Sequence, residues 1–433
     1  MTTTGAIRKR AIVALLLGAA AITPAISADP INLRMTALGN AGQGVQGVIA
    51  VWNKAHPEIH VSVEMQADET NWQATAPTTM FTSGDGPDLS WWWCSPAFQY
   101  KDMIGAGLLA PLDDLYKSGA YPAGTVTYFT EPDGHKYGVN TDVVWTPYIY
   151  YNKDIFAKVG ITPPKTWDEL YADSAKIRAA GYQTMVTLYD YGMVNHLVDA
   201  LMMRSWTQNE YNALLANWSP KASADSLKYK WTDPDGVRIF QTLKDIVAKG
   251  FAADGFAGLT DPEVAKSLFT SGKAAMFQDG SWDSNGDLAK AAKFPLDFFY
   301  YPPIQEKAYG PVGSWVPNCF IAFAKKPNVD AAKQVIAFLA STDGAVAYAK
   351  ASGLTVGRTD IPSDTLKSML NPMTAQMAED VAKQGAPALF ESSVPPDVLT
   401  ALKQAAGDVL TGGATPEQAA QRMQDAYDKA RKG

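Results

Sequence analysis

Two short runs concentrate the side chains that could do chemistry in this 433-residue chain. Trp91-Trp92-Trp93 sets three indoles in succession, and Tyr189-Asp190-Tyr191 places a carboxylate between two phenols. Indole and phenol rings offer flat apolar faces, and a carboxylate accepts two hydroxyl donors at once. The combination suits non-covalent capture of a ring with hydroxyls at its edge and C–H groups on its faces. Support for covalent or metal chemistry is thinner. No CxxC occurs, and His56, His60, His135 and His196 never fall at HExxH spacing. No G-x-S-x-G elbow or dinucleotide fingerprint is present, and Gly272-Lys273 is followed by Ala and lacks the upstream Gly of a P-loop. A glycoside hydrolase working with two carboxylates is the enzyme that remains, and it needs those acids about 5–10 Å apart.

Twelve tryptophans occur, none after Trp315. Strand side chains alternate between faces, so at least one of Trp91, Trp92 and Trp93 is structural. Trp52 and Trp167 fall within helical patterns and read as packing. For every other tryptophan, core packing competes with ligand contact.

Those rings must be positioned by a folded scaffold, and composition supports one. Hydrophobic residues make up 47% and charged residues 19%, a globular balance. The formal net charge of −7 becomes more negative without the cations at the N-terminus, and no basic run follows. Nucleic acid and anionic membrane surfaces are therefore poor partners. Arg8, Lys9 and Arg10 precede an apolar stretch over 11–22, and Ile26-Ser27-Ala28 closes it with small residues. This is the layout of a signal peptide, expected to occupy 1–28 and to be cleaved. The stretch falls short of the roughly 20 residues a spanning helix needs. No Cys lies near the cleavage point, so the exported chain is expected in the periplasm, free of lipid and not inserted in the membrane. Cys94 and Cys319 would meet oxidising conditions there, which leaves a bridge and two buried thiols as open alternatives. What remains is too long for one core and points to two domains.

Periodicity predicts a strand over 31–38, a turn at Gly39-Asn40-Ala41-Gly42 and a helix over 45–54. A strand at 60–65, a helix at 71–83 and a strand at 87–93 follow. Strand and helix alternate, as in a doubly wound α/β sheet, and such sheets bind ligands at the carboxyl ends of their strands. That rule selects Asn40, Gln43 and the end of the tryptophan run. A second unit opens near 145. There Thr166 and Glu169 form a capping box, Gly181 ends the helix, and a strand over 183–188 runs into Tyr189-Asp190-Tyr191. Helices are expected around 195–216, 236–249, 261–271, 330–340, 343–351 and 395–410, with strands at 298–301 and 320–324. A last helix begins at Thr415-Pro416. No low-complexity linker separates the units, so crossing strands are expected to join them.

Several segments resemble one family, the extracellular solute-binding proteins of sugar-type ABC importers, which includes the maltodextrin-binding proteins. SGDGPDLSWWW (83–93) is similar to the family's turn into its third strand, and GAGLLAPLDDL (105–115) to its PL-DD segment. YIYYNKDIFAKVGITPPKTWDEL (148–170) resembles its YNKD…PPKTWDEL signature, and FTSGKAAMFQDGSW (269–282) its GKAAM block. AAKQVIAFLAS (331–341) and GLTVGRTDI (353–361) look like its late helix and the loop after it.

The resemblance implies the type II periplasmic binding protein fold, two α/β lobes joined by crossing hinge strands. One lobe would span 29–143 with 304–324, the other 147–300 with 326–433. It implies a small sugar held in the cleft, hinge closure, delivery to ABC permease subunits, a monomer, and neither metal nor cofactor. Trp92, Trp93, Trp145, Trp282 and Trp315 fall where the family keeps cleft residues, and Trp72 would be a platform at the mouth. Asp190, beside Tyr189, matches an acid of the maltodextrin binders. Asp142, by the first crossing, is a ligand acceptor or a solvated hinge acid. Arg358 lies in the late loop, where a guanidinium either forks onto the ligand or joins a surface ion pair. Ser95 stands where maltodextrin binders carry an acid, a departure that argues against maltose itself. A glycerol phosphodiester or a sulfonated sugar is the alternative ligand.

Overall fold

The computed structural model describes residues 1, 29–38, 41–66, 85–285, 287–306 and 308–432. The leader, Asn40, Trp72 and the helix expected at 71–83 lie outside the described residues.

The first lobe is built on a five-stranded sheet of β1 (Ile31–Leu38), β2 (Ile59–Gln66), β3 (Leu89–Trp93), β4 (Val139–Asn140) and β11 (Asn318–Ala322), in the order β2-β1-β3-β11-β4. β1 runs parallel to β2, with Ile31 opposite Ile59, and parallel to β3. β11 enters antiparallel to β3, with Asn318 opposite Trp93. Helix α1 (Ala41–Ala55) buries the expected stripe of Val45, Val48, Ile49 and Trp52. Cys94 and Cys319 are bridged, their Cα atoms 6.0 Å apart across 225 residues of chain, which settles the open question in favour of the disulfide.

The second lobe has a four-stranded sheet in the order β7-β8-β6-β9, formed by β6 (Tyr148–Asn152), β7 (Gln183–Val186), β8 (Ala274–Asp279) and β9 (Leu296–Phe299). Helix α2 (Trp167–Ala179) starts with the anticipated capping box between Thr166 and Glu169. The helix expected at 195–216 is three pieces instead: a π-helical run Tyr189–His196, α3 (Leu197–Ser205) and α4 (Gln208–Asn217). Helices α7 (Pro396–Thr411) and α8 (Pro416–Ala430) complete this lobe's core, burying Leu402, Ala406, Met423 and Tyr427 against Ile239, Phe240 and Leu243.

The expected assignment of 326–433 to the second lobe does not hold throughout. Helices α5 (Val329–Leu339) and α6 (Thr342–Ser352) bury Val335, Ile336, Leu339 and Tyr348 in the first lobe's core. The reason is helix packing: a Cβ on Gly44 or Gly47 of α1 would lie 2.8 Å from Tyr348 or 2.3 Å from Ala351. Glycine lets α1 and α6 close to that distance. Residues through Ile361 belong with the first core, Leu366 and Met369 pack against it, and the chain reaches the second lobe's residues with Met373 and Met377. Between the lobes, β5 (Val144–Thr146) pairs antiparallel with β10 (Gly313–Trp315), and Asp142 bridges to Val356. Among the described residues no helix is long and apolar enough to cross a membrane.

Candidate functional site

An aromatic cluster sits where the lobes meet. Phe98, Val144, Trp315, Leu354 and Leu389 are buried there, with Trp93, Tyr191 and Trp282 half-buried against them. The ring centres of Trp93 and Phe98 are 4.8 Å apart, and Trp93 reaches Tyr191 of the other lobe at 6.5 Å. Phe98 meets Trp315 edge-on at 6.4 Å. The walls thus come from both lobes and from the connecting ribbon.

Strand alternation explains which tryptophan faces where. Trp91 and Trp93 share one face of β3, their centres 6.4 Å apart, whereas Trp92 points the opposite way into the core. Trp92 donates its Nε1–H to Phe98 O at 3.0 Å and so helps hold the turn Pro96–Phe98. Ser95, just before that turn, is fully buried, and its Oγ has no hydrogen-bond partner among the described residues.

Trp282 is held by a tightly bonded loop after β8. Tyr150 donates its hydroxyl to Gly280 O at 2.7 Å, and Trp145 N–H donates to Ser281 Oγ at 2.9 Å. Trp145 is itself buried, and its backbone serves the loop. A Cβ on Gly280 would lie 2.1 Å from the Trp282 ring, so the indole lies flat over a position only glycine can occupy. In the same loop the buried Asp283 pairs with Lys266 at 3.0 Å. Burial and the neighbouring Asp283 push the Asp279 carboxyl well above the usual carboxylate range.

A polar group lies behind the rings. His196 stands 5.8 Å from Trp282 and 6.0 Å from Tyr191, centre to centre, and its Nε2 is 3.3 Å from Glu391 Oε1. Asn195 donates its amide to Glu391 Oε2. At the rim, Asp190 is exposed and pairs with Lys403 at 3.1 Å, whose ammonium lies 4.9 Å from the Tyr191 ring centre. Half-buried Tyr189, Asp190, Lys403, Gln404 and Asp408 border an open groove of about 340 Å³. Among the described residues no group of three or more His, Cys, Asp or Glu is placed to hold a metal ion.

Trp93, Trp282 and Trp315 therefore converge, and Asp190 and Tyr189 stand at the edge. Other anticipated contacts lie elsewhere. Asp142 is buried, accepting from Asn318 Nδ2 at 2.8 Å, from Tyr348 OH at 3.1 Å and from the Thr141 hydroxyl. Its oxygens clip the two crossing segments to α6, and desolvation raises its pKa. Asp142 is thus an internal acid, neither solvated nor open to the cleft. Arg358 is engaged inside the first lobe: Nε and Nη2 reach Asp360 at 2.9 and 2.5 Å, Nη1 donates to Ala340 O, and the group lies over Tyr121. Its planar fork is filled by a carboxylate two residues away, the ion-pair alternative. Gln43 is exposed on α1. Sequence reasoning missed Phe98, His196, Leu354 and Glu391 as neighbours of the cluster. Phe98 had a visible signal in its place five residues after Trp93, whereas Glu391 lies in a stretch without any motif.

Residues 36–346 match the bacterial extracellular solute-binding protein family, and the chain belongs to it. It is a substrate-binding protein of an ABC transporter, a transport family and not an enzyme family. A binding protein from Brucella abortus is 26% identical over 346 residues, covering 78% of this chain and 79% of that protein. The sn-glycerol-3-phosphate-binding periplasmic protein of Rhizobium meliloti is 30% identical over 58% of this chain and 54% of its own length. Among solved structures, a chitin oligosaccharide binding protein superposes with TM-score 0.75 at 22% identity, covering 94% of this chain and 100% of that one. A maltose-bound protein from T. maritima gives 0.71 at 20% identity, over 92% and 99%. The fold is the type II periplasmic binding protein fold, as anticipated.

Proposed function

We propose that this protein captures a neutral mono- or oligosaccharide between its lobes and delivers it to membrane permease subunits by hinge closure. The observation that carries the reading is the convergence of Trp93 and Phe98 from one lobe with Tyr191 and Trp282 from the other. Such rings cover the C–H faces of a sugar, and closing the hinge brings both walls against it. The solved neighbours named for chitin oligosaccharide and maltose add to this reading. A cleaved leader, a periplasmic location free of lipid and a monomeric state belong to the same proposal.

The relatives named for sn-glycerol 3-phosphate support a second reading, an anionic ligand. The cations do not favour it: Lys403, beside Tyr191, is paired with Asp190, and Arg358 is held by Asp360 inside the first lobe. Thermal unfolding of the leader-free protein against maltose, galactose, chitin oligosaccharides and sn-glycerol 3-phosphate separates the two. A ligand at about a hundred times its dissociation constant adds about 2.7 kcal/mol to the native state and raises the midpoint by a few degrees. A shift with one neutral sugar, abolished in Trp93→Ala and Trp282→Ala, is the expected result. A shift with sn-glycerol 3-phosphate alone, or one indifferent to both substitutions, would sink the proposal.

A further inference from the structure

The aromatic walls do not use the polar cluster behind them. Glu391 lies in the short helix Phe390–Ser393, which follows Leu389 of the inter-lobe cluster. The His196 and Glu391 side chains are only 8% and 5% exposed. Behind them, Asp199 is wholly buried, and its Oδ1 accepts from Phe390 N at 2.9 Å and lies 3.4 Å from the Tyr211 hydroxyl, which donates to Ala388 O at 2.9 Å. Two buried atoms, Asn195 Oδ1 and Asp199 Oδ2, have no hydrogen-bond partner among the described residues. Burial and the charge of Glu391 push the Asp199 carboxyl well above the usual range. The cluster then has one carboxylate, Glu391, and one imidazole to set against it.

On the first lobe, Tyr128 donates its hydroxyl to Cys94 O at 3.1 Å, and burial together with the charges of Glu131 and Glu391 suppresses its ionisation. Lys101 on that lobe is held by Glu131. A sugar hydroxyl donates to a carboxylate, and hydrogen bonds to a charged acceptor are the stronger kind. A phosphate or sulfonate in the same place would set a second negative charge beside Glu391 at low dielectric, where the His196 imidazole is already engaged by Glu391.

We propose that Glu391 and His196 form the selectivity element of the cleft, accepting the hydroxyls of an uncharged sugar and rejecting its phosphate- or sulfonate-bearing counterparts. This rests on the reading of the cleft as a sugar site, and names what decides between the two ligand classes.

Calorimetric titration of the leader-free chain with maltose, galactose and chitin oligosaccharides, and with galactose 6-phosphate and sn-glycerol 3-phosphate, tests it. The best neutral sugar should bind at least about a hundredfold more tightly than either phosphate ester. Glu391→Gln keeps the shape and removes the charge. It should weaken the neutral sugar by about tenfold to a hundredfold and narrow the gap to the phosphate esters. His196→Gln leaves the carboxylate without its imidazole and should widen that gap. Equal or tighter binding of a phosphate ester by the unaltered protein overturns the proposal without any variant, so misfolding of Glu391→Gln does not shelter it. A selectivity ratio in a folded Glu391→Gln within about twofold of the unaltered protein also overturns it. If Trp282→Ala still abolishes sugar binding in that case, the sugar cleft stands and only the selectivity element falls. Failure of the unaltered protein to bind any probe removes the cleft reading and this one together.

Discussion

Removing the Cys94–Cys319 bridge should lower stability without disturbing the binding cleft. The bridge closes a loop of 225 residues that includes the whole of the second lobe's sheet. In the chain-entropy account, a cross-link of that span removes about 18 cal/mol/K from the unfolded ensemble, about 5 kcal/mol at 25 °C. Residual structure in the unfolded chain reduces the effect, so about 3–5 kcal/mol is expected. The native state has little need of the link. β3 and β11 remain paired in register from Leu89 opposite Ala322 to Trp93 opposite Asn318. The assay is urea unfolding of the oxidised protein beside a Cys94→Ala/Cys319→Ala variant, followed by near-ultraviolet circular dichroism and ligand titration. The variant should unfold at lower urea, with a larger denaturant slope because its unfolded chain is freer to expand. Its dissociation constant should be unchanged. A loss below about 1 kcal/mol would refute the loop-closure argument, and a loss of ligand affinity would show that the bridge shapes the native cleft instead.

Two further outcomes follow from buried groups and close packing. Asp142, Asp199 and Asp279 all have raised pKa values in the folded protein. The native state therefore binds their protons more tightly than the unfolded chain. Their contribution is fully present below the ordinary carboxyl range and is lost as pH rises through each raised value, by about 1.4 kcal/mol per pH unit for each group titrating. The urea midpoint should fall from about pH 4.5 towards neutrality, less steeply in Asp279→Asn, and a midpoint that climbs over that range would contradict this. Gly280→Ala should drive the Trp282 indole out of its position, because the new Cβ would lie 2.1 Å from the ring. Sugar affinity should fall about tenfold, the scale of one lost ring contact. Unchanged affinity in a titration of the folded variant would remove Trp282 from the site.

Local order was readable before any fold was known. The Thr166–Glu169 capping box, the buried stripe of α1 and the alternation across Trp91, Trp92 and Trp93 all depend on neighbours a few residues away. Their periods, 3.6 for a helix and 2 for a strand, are written directly in the residue pattern. The ordered motifs from 83 to 361 led to the same two-lobed fold that the solved neighbours share. The lobe membership of α5 and α6 was not readable in this way. An amphipathic helix announces that it will be buried, but not against which sheet, and here the glycines of α1 decided it.

The same division runs through the candidate site. Sequence alone determined that the chain is rich in aromatic platforms and poor in catalytic motifs, and it named Trp93, Trp282 and Trp315 as candidate cleft residues. Only the tertiary structure decided that Arg358 would be used up by Asp360 and Ala340, and that Asp142 would be buried among Thr141, Asn318 and Tyr348. It alone brought Glu391 to Asn195, across 196 residues of chain. A charged side chain is fitted for ligand, ion pair or solvent alike by its chemistry, and the choice among them depends on which distant groups packing carries to it.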